Sequence, residues 1–236
     1  MVIDSAAAND SVLAPGTVLS DLPIFPLPNA VHFPNTLLPL HVFEPRYRQL
    51  VRAAMAGPRR IAVALLAPGW EPQYYGAPNV HPVMGLGEII NHQELPDGRS
   101  NILLRGLARV RLLDEHQTGD EYRTVRARVE ESEPGRGDEL QRHLATVRQL
   151  FADVVTRVAH MDLKDAHVLF ERDIDPAFVL DAIASATPAP PERKQALLDE
   201  LNVERRALLL ADLLAEVTAE RGAPAESRGW TPSADC

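Results

Sequence analysis

Hydrophobic and polar positions follow two different rhythms along the chain. In the first half, residues 37–43 and 60–67 are short apolar runs that read as buried strands. Between them, Tyr47, Leu50, Val51, Ala54 and Met55 recur at helical spacing and predict a helix over residues 44–56. Pro45 suits its first turn, and Gly57-Pro58 ends it. Three further strands are predicted at 83–95, 100–104 and 107–115, and a fourth at 122–131, where Val125, Ala127 and Val129 alternate with Arg126 and Arg128. Residues 95–99 (Leu-Pro-Asp-Gly-Arg) form a hairpin turn, because Asp-Gly supplies the positive φ a tight turn needs. These elements make a mixed, mostly antiparallel β-rich unit rolled into a partial barrel.

The second half has the period of helices. Leu140, Leu144, Val147, Leu150, Phe151, Val154, Val155 and Val158 recur at three and four, after a Pro134-Gly135-Arg136-Gly137 boundary and a capping Asp138. Asp175-Pro176 and Pro190-Pro191-Glu192 open two more helices, the second running over 193–201. A last helix starts at Val203, carries Leu208, Leu209, Leu210, Leu213, Leu214 and Val217, and ends near Gly222. Twelve of the twenty prolines fall between Pro23 and Pro96 and none between Gly135 and Asp175, which separates the halves independently of period. The expected organisation is a tail over 1–20, a β-rich subdomain over 21–133, a helical subdomain over 138–221 and a tail over 222–236.

Composition narrows the function. The chain has 236 residues and a net charge of -9, which opposes a general nucleic-acid binder, since phosphate contacts dominate that affinity. Cys236 is the one cysteine, so no disulfide framework is implied. No segment reads as a secretory signal and no apolar run approaches the roughly 20 residues of a membrane span, so a cytoplasmic location is expected.

Catalytic motifs are sparse. Neither Lys164 nor Lys194 follows a glycine, so there is no phosphate-binding loop, and Lys194 is expected to be solvated beside Arg193. Gly85-Leu86-Gly87 continues into a strand rather than a helix and reads as relief for a close backbone approach. His92 and Glu94 share a strand face but lack a third ligand, and His160 and His167 read as solvated, so no metal and no cofactor is expected. Arg109, Arg111, Arg126 and Arg128 lie on neighbouring strands and make a candidate anion-binding stripe. Against it, residues 101–131 hold six arginines and six acidic residues, as a self-paired sheet face would. Trp70, Tyr74 and Tyr75 form the best aromatic anchor set, in a loop over 68–82.

Several ordered motifs carry a family resemblance. The run Leu22-Pro-Ile-Phe-Pro-Leu-Pro-Asn-Ala-Val-His-Phe-Pro34 is followed by Leu38-Pro-Leu-His-Val-Phe-Glu-Pro-Arg-Tyr47, Gly85-Leu-Gly-Glu-Ile-Ile90, the 95–99 turn and Leu104-Arg-Gly-Leu-Ala-Arg-Val110. With Asp175-Pro176 and residues 191–198 they resemble the N-terminal, substrate-binding domain of the Lon protease family, over about residues 21–221. The family usually has glycine after the Phe-Pro step; Asn35 stands there and tolerates the left-handed turn required. Phe43 and Tyr47, four apart, are expected to pack together, Glu44 to favour the helix N-terminus, and Arg46 to pair across to another strand. All four read as structural, in a neighbourhood the resemblance makes a plausible interaction surface.

The resemblance implies an α+β fold, a PUA-like pseudo-barrel followed by a helical bundle, and a role in binding protein or peptide. The ATPase and protease modules of a full Lon protease would begin beyond this chain, so the expectation is a non-catalytic recognition module with unfolded or specific protein partners, in connection with a protease system. The alternative is an RNA-binding module using the arginine stripe.

Overall fold

The computed structural model describes residues 13–116, 118–156, 169 and 174–222. Val158, His160, Lys164 and His167, and residues 1–12 and 223–236 of the expected tails, lie outside them. Six strands come first: β1 (Val18–Leu27), β2 (Leu37–Val42), β3 (Arg60–Leu65), β4 (Val83–Glu94), β5 (Ser100–His116) and β6 (Arg123–Val129). Helix α1 (Pro45–Ala56) lies between β2 and β3, and α2 (Gly137–Val154), α3 (Pro176–Ala186), α4 (Pro191–Asp199) and α5 (Val203–Gly222) follow the strands.

The strand order β2-β5-β4-β3-β1-β6, with an added β5–β6 pairing, closes five strands into a circuit and leaves β2 attached outside it on β5. All pairings are antiparallel except β1 with β3. Leu22, Ile24, Ala62, Ala64, Met84, Leu86, Val110, Val125 and Ala127 pack together from within the circuit's strands. The alternate residues Phe25, Ile61 and Val63 turn to α1, whose Tyr47, Leu50, Val51 and Ala54 form the buried stripe read from the sequence. Strand β3 is therefore buried on both faces, which is why it reads as an unbroken apolar run.

Strand β1 begins at Val18, inside the segment expected to be a tail. Val129 exchanges backbone hydrogen bonds with Gly16 and Thr17 there, so β6 recruits these residues as its partner strand. Two prolines in β1 argue against an internal strand, yet both are accommodated. β1 pairs with β6 over Val18–Ile24 and with β3 over Ile24–Leu27. Pro23 and Pro26 thus each sit where only one neighbour is present, and a missing N–H can face the open side. The predicted strands 100–104 and 107–115 are one bent strand, β5, whose register against β4 slips at Leu107, next to Gly106. The slip is a bulge that bends the strand without ending it.

Residues 32–34 cross directly over the strands. A Cβ on Gly85 would fall within the His32 carbonyl and one on Gly106 within the Phe33 carbonyl, so both positions need glycine for close approach. Asn35 adopts φ 60 and its N–H donates to the Gly106 carbonyl at 2.9 Å, as the sequence predicted for a left-handed turn. Gly98, φ 77, makes the β4–β5 turn.

The helices pack on one another, α2 and α3 against α5, around Leu144, Val147, Leu180, Ile183, Leu210 and Leu214. Asp175 caps α3 by accepting from the Ala177 N–H at 3.2 Å. Arg136, rather than Asp138, is the N-cap of α2, and Asp138 instead lies in its first turn, where its charge still favours the helix end. Helix α4 ends at Asp199, two residues short of the predicted end.

A buried charge cluster joins the helices to the sheet. Asp181 of α3 accepts from Arg109 of β5 at 2.6 and 2.8 Å and from Arg206 of α5 at 3.1 Å. Asp181 is 2% exposed and Arg206 0%. The remaining donors reach the carbonyls of Leu198, Glu200 and Leu201 and the Ser132 hydroxyl. Burial and the neighbouring Arg109 charge lower the Arg206 guanidinium to about 10, leaving it charged at neutral pH. Nearby, Gln195 of α4 donates to the Val83 carbonyl of β4 at 2.9 Å.

Two predictions follow from this packing. Asp181→Ala leaves two guanidinium groups buried together and should cost about 3–5 kcal/mol in urea unfolding at neutral pH, whereas replacing Asp181, Arg109 and Arg206 together by apolar residues should cost less. His32 is buried with no hydrogen-bond partner for Nε2 among the described residues, and burial lowers its pKa to about 4. The unfolded chain takes up this proton near 6.5 and the folded chain only near 4. The His32 contribution is therefore fully present above pH 6.5 and is lost between pH 6.5 and 4, by up to about 3 kcal/mol. The stability difference between wild type and His32→Gln should fall through that window in denaturant titrations at stepped pH.

Candidate functional site

The aromatic loop between β3 and β4 is closed at its base. Leu66 and Val80 form an antiparallel bridge, and the Ala67 N–H donates to the Asn79 carbonyl at 2.8 Å. Farther along, Arg123 of β6 donates to the Pro78 carbonyl at 2.7 Å. A single 3-10 turn, Glu71–Gln73, then places Trp70, Tyr74 and Tyr75 in a row, with ring centroids 5.4 Å apart for Trp70 and Tyr74 and 5.1 Å for Tyr74 and Tyr75.

The three rings do not behave alike. Tyr74 turns back to the start of α1, where its hydroxyl donates to Glu44 Oε1 at 2.7 Å, and the Tyr74 carbonyl accepts from Arg46 Nη1 at 3.1 Å. Arg46 also donates to Glu44 Oε2 at 3.1 Å. Its guanidinium lies over two rings, 4.6 Å from the Tyr47 centroid and 5.0 Å from that of Tyr74, a cation–π sandwich. Burial and the hydrogen bond to Glu44 raise the Tyr74 phenol. Trp70 is half-buried, and Tyr75 is 89% exposed. The loop is therefore held by its middle tyrosine and presents the next one to solvent.

This arrangement corrects two expectations for the 43–47 motif. Tyr47 packs on Phe25, centroids 4.1 Å apart, and its hydroxyl donates to the Pro26 carbonyl; burial pushes its phenol up to about 12. Phe43 is not packed on Tyr47. It is 60% exposed, beside the His41 ring at 6.2 Å, because it follows the last residue of β2 on the outward side. Arg46 pairs with Glu44 and with the loop backbone instead of crossing to another strand. Motif and loop, separated by some thirty residues, are thus one structure. Phe43 and Tyr75 are each the chain neighbour of a member of the Glu44–Tyr74 hydrogen bond, and both rings are exposed.

The arginine stripe resolves differently from its sequence pattern. Arg109 is buried against Asp181, so it does not share a solvated face with the others. Arg111 and Arg128 both pair with Glu130, at 2.9 and 3.1 Å, and Arg126 pairs with Asp114 at 2.6 Å. Every cation of the stripe is engaged by a carboxylate, so its field at the surface is largely cancelled. Lys194 is half-buried rather than fully solvated: Nζ donates to the Ser185 carbonyl at 2.8 Å, and burial lowers its pKa. His92 and Glu94 stand on β4 as predicted, and among the described residues no three His, Cys, Asp or Glu side chains gather as metal ligands. No helix among the described residues is long and apolar enough to cross a membrane.

The buried pair Asp181 and Arg206 went unread in the sequence. Their signal was present: Arg206 falls on the apolar stripe of Val203, Ala207, Leu210, Leu214 and Val217, and Asp181 lies among Val179, Leu180, Ile183 and Ala184. A charge on an apolar stripe implies a buried partner of opposite sign.

Comparison with known proteins agrees with this architecture. Residues 21–216 match the family described as the ATP-dependent protease La (LON) substrate-binding domain. Lon protease 2 of Herpetosiphon aurantiacus is 30% identical over 198 residues, 83% of this chain and 24% of that protein. Lon protease 2 of Myxococcus xanthus is 24% identical over 216 residues, 89% of this chain and 26% of that protein. The chain thus spans about a quarter of the length of these curated relatives. Among solved structures, the N-terminal domain of Mycobacterium avium complex Lon protease superposes with a TM-score of 0.66 at 18% identity, covering 83% of this chain and 98% of that one. The Lon N-terminal domain protein from Xanthomonas campestris has a TM-score of 0.55 at 26% identity, covering 84% and 98%. A family match across most of the chain and the same mixed α+β arrangement in solved N-terminal domains lead to one conclusion: the chain belongs to the Lon substrate-binding domain family.

Proposed function

We propose that this chain is a non-catalytic recognition module that binds exposed segments of protein partners, using the aromatic ledge of Phe43 and Tyr75 with Trp70 and Tyr74 behind it. The observation that carries the reading is the asymmetry of the loop. Tyr74 is fixed by Glu44 and Arg46, while Tyr75, its neighbour, is almost fully exposed. A large aromatic ring held on a braced backbone loses little conformational freedom when it meets a partner, and such anchors dominate protein–protein affinity. Glu44, Arg46 and Tyr47 are positioning residues that hold the ledge.

The matched family is the substrate-binding part of Lon, which handles protein, and residues 21–216 account for most of the chain. The same reading takes the closed five-strand circuit as a PUA-like pseudo-barrel, helices α2–α5 as its helical bundle, and the cytoplasm as the site of action. Partners are unfolded or specific proteins, in connection with a protease system. The RNA alternative loses its footing with the stripe, since Arg109 is buried and the other three cations are paired.

The test is fluorescence anisotropy with a labelled polypeptide kept unfolded by reduction and alkylation of its cysteines. Tyr75→Ala and Phe43→Ala should each weaken binding by about tenfold, ~1.4 kcal/mol, with the urea midpoint unchanged because both side chains are exposed. Glu44→Ala should weaken it too, by releasing Tyr74. Unchanged affinity in all three variants would refute the ledge as the binding surface.

A further inference from the structure

Helix α1 and the turn after it carry charge of one sign. Residues 45–60 contain five arginines, Arg46, Arg48, Arg52, Arg59 and Arg60, and no acidic residue, in a chain whose net charge is -9. On β5 and β6, by contrast, all six arginines form ion pairs. On α1, Arg46 pairs with Glu44, but Arg48 and Arg52 form no ion pair among the described residues, and neither do Arg59 and Arg60. Local acidic groups do not neutralise them. Glu121 shares a groove of about 360 Å³ with Pro45, Arg48, Gln49 and Arg52, yet its contact there is a backbone N–H to Gln49 at 3.0 Å. On the other flank, Glu94 and His92 line a smaller cleft with Arg48 and Arg52, again without an ion pair to either.

Two of these cations follow, along α1, the N-cap residue that holds the aromatic loop. Glu44 is the N-cap of α1 and holds Tyr74, so the ledge stands at the helix's first turn. Arg48 and Arg52 follow at i and i+4, one above the other on a single face, and the Arg52 Nε donates to the Arg48 carbonyl at 3.3 Å. Arg48 is half-buried over the β4–β5 turn, its guanidinium against Gly98, and is thereby fixed in place; Arg52 is exposed. At 1.5 Å per helical residue the two lie about 6 and about 12 Å along the helix from the cap. An extended polypeptide advances about 3.3 Å per residue, so those distances correspond to about two and about four residues.

We propose that the partner segment recognised here is acidic as well as apolar. An aromatic or aliphatic residue seats on Phe43 and Tyr75, and carboxylates roughly two and four residues away reach Arg48 and Arg52. Charge complementarity selects this occupant: the guanidinium groups of Arg48 and Arg52, unpaired among the described residues, attract carboxylates, while the negative remainder of the molecule repels acidic segments from other surfaces. This inference rests on the recognition reading above and adds the chemical class of the segment recognised.

The experiment uses the full chain and two fluorescein-labelled peptides. One has a single tryptophan flanked on both sides by glutamates two and four positions away, which removes any dependence on chain direction; in the other, glutamines replace the glutamates. The glutamate peptide should bind about tenfold more tightly at low salt, where charges act over more than about 10 Å, and this advantage should shrink toward 1 M salt, where they act over about 3 Å. Arg48→Glu with Arg52→Glu should abolish the advantage while leaving the glutamine peptide's affinity unchanged. Arg52→Glu alone, at an exposed position, should remove part of it without touching the packing over Gly98.

Equal affinity for the two peptides, with binding lost on Tyr75→Ala, would overturn the acidic preference and leave the recognition reading standing. Failure of both peptides to bind would overturn both. A short single-stranded RNA that displaces the glutamate peptide and loses affinity in the same arginine variants would overturn the choice of polypeptide as the occupant.

Discussion

A single carboxylate, Asp181, holds two buried guanidinium groups that reach it from different parts of the molecule, Arg109 from the sheet and Arg206 from the last helix. In a low-dielectric interior such a cluster contributes little net stability, because each ion has been stripped of water. It is nevertheless intolerant of misalignment. Moving α3 or α5 by a few ångströms would leave an uncompensated charge, at a cost comparable to a large share of the whole folding free energy. The carbonyls of Leu198, Glu200 and Leu201 complete its coordination, so the α4–α5 connection is specified by the same cluster. The helices consequently sit on the strands in one register, and the buried glutamine Gln195 repeats the constraint on β4.

With the helices fixed, the first half of the chain has to solve a backbone problem. Residues 32–34 must pass over the sheet, and they do so where Gly85 and Gly106 leave no side chain in the way. That crossing delivers the chain into β2 and then α1, whose N-cap Glu44 organises the recognition surface. Glu44 accepts from Tyr74 and from Arg46, and Arg46 in turn binds the Tyr74 backbone. Three side chains therefore convert a proline-rich loop, which would otherwise sample many conformations, into a braced platform. Pre-organisation of this kind lets one exposed ring bind without a large ordering cost.

Much of this was legible in the residues. The amphipathic α1, the Asp-Gly turn, the Asn35 turn and the Asp175 cap each have a local physical cause that a sequence states directly. Features set by long-range packing were not. Prolines in β1 concealed an internal strand, because only the offset between its two ladders makes them tolerable. Alternation correctly put Arg109 and Arg111 on one strand, but it says nothing of what covers a face, and α3 covers Arg109 alone. The aromatic loop was visible as a cluster. Which ring is fixed and which is presented depends on a hydrogen bond across thirty residues of chain.

Hydrogen–deuterium exchange of the full chain, with and without a permanently unfolded polypeptide, tests recognition at this surface most directly. Binding there predicts slowed exchange confined to the loop around residues 70–76 and the β2–α1 junction around residues 41–49, with α2 to α5 unchanged. Protection centred on the helices, or none anywhere at saturating polypeptide, would contradict it.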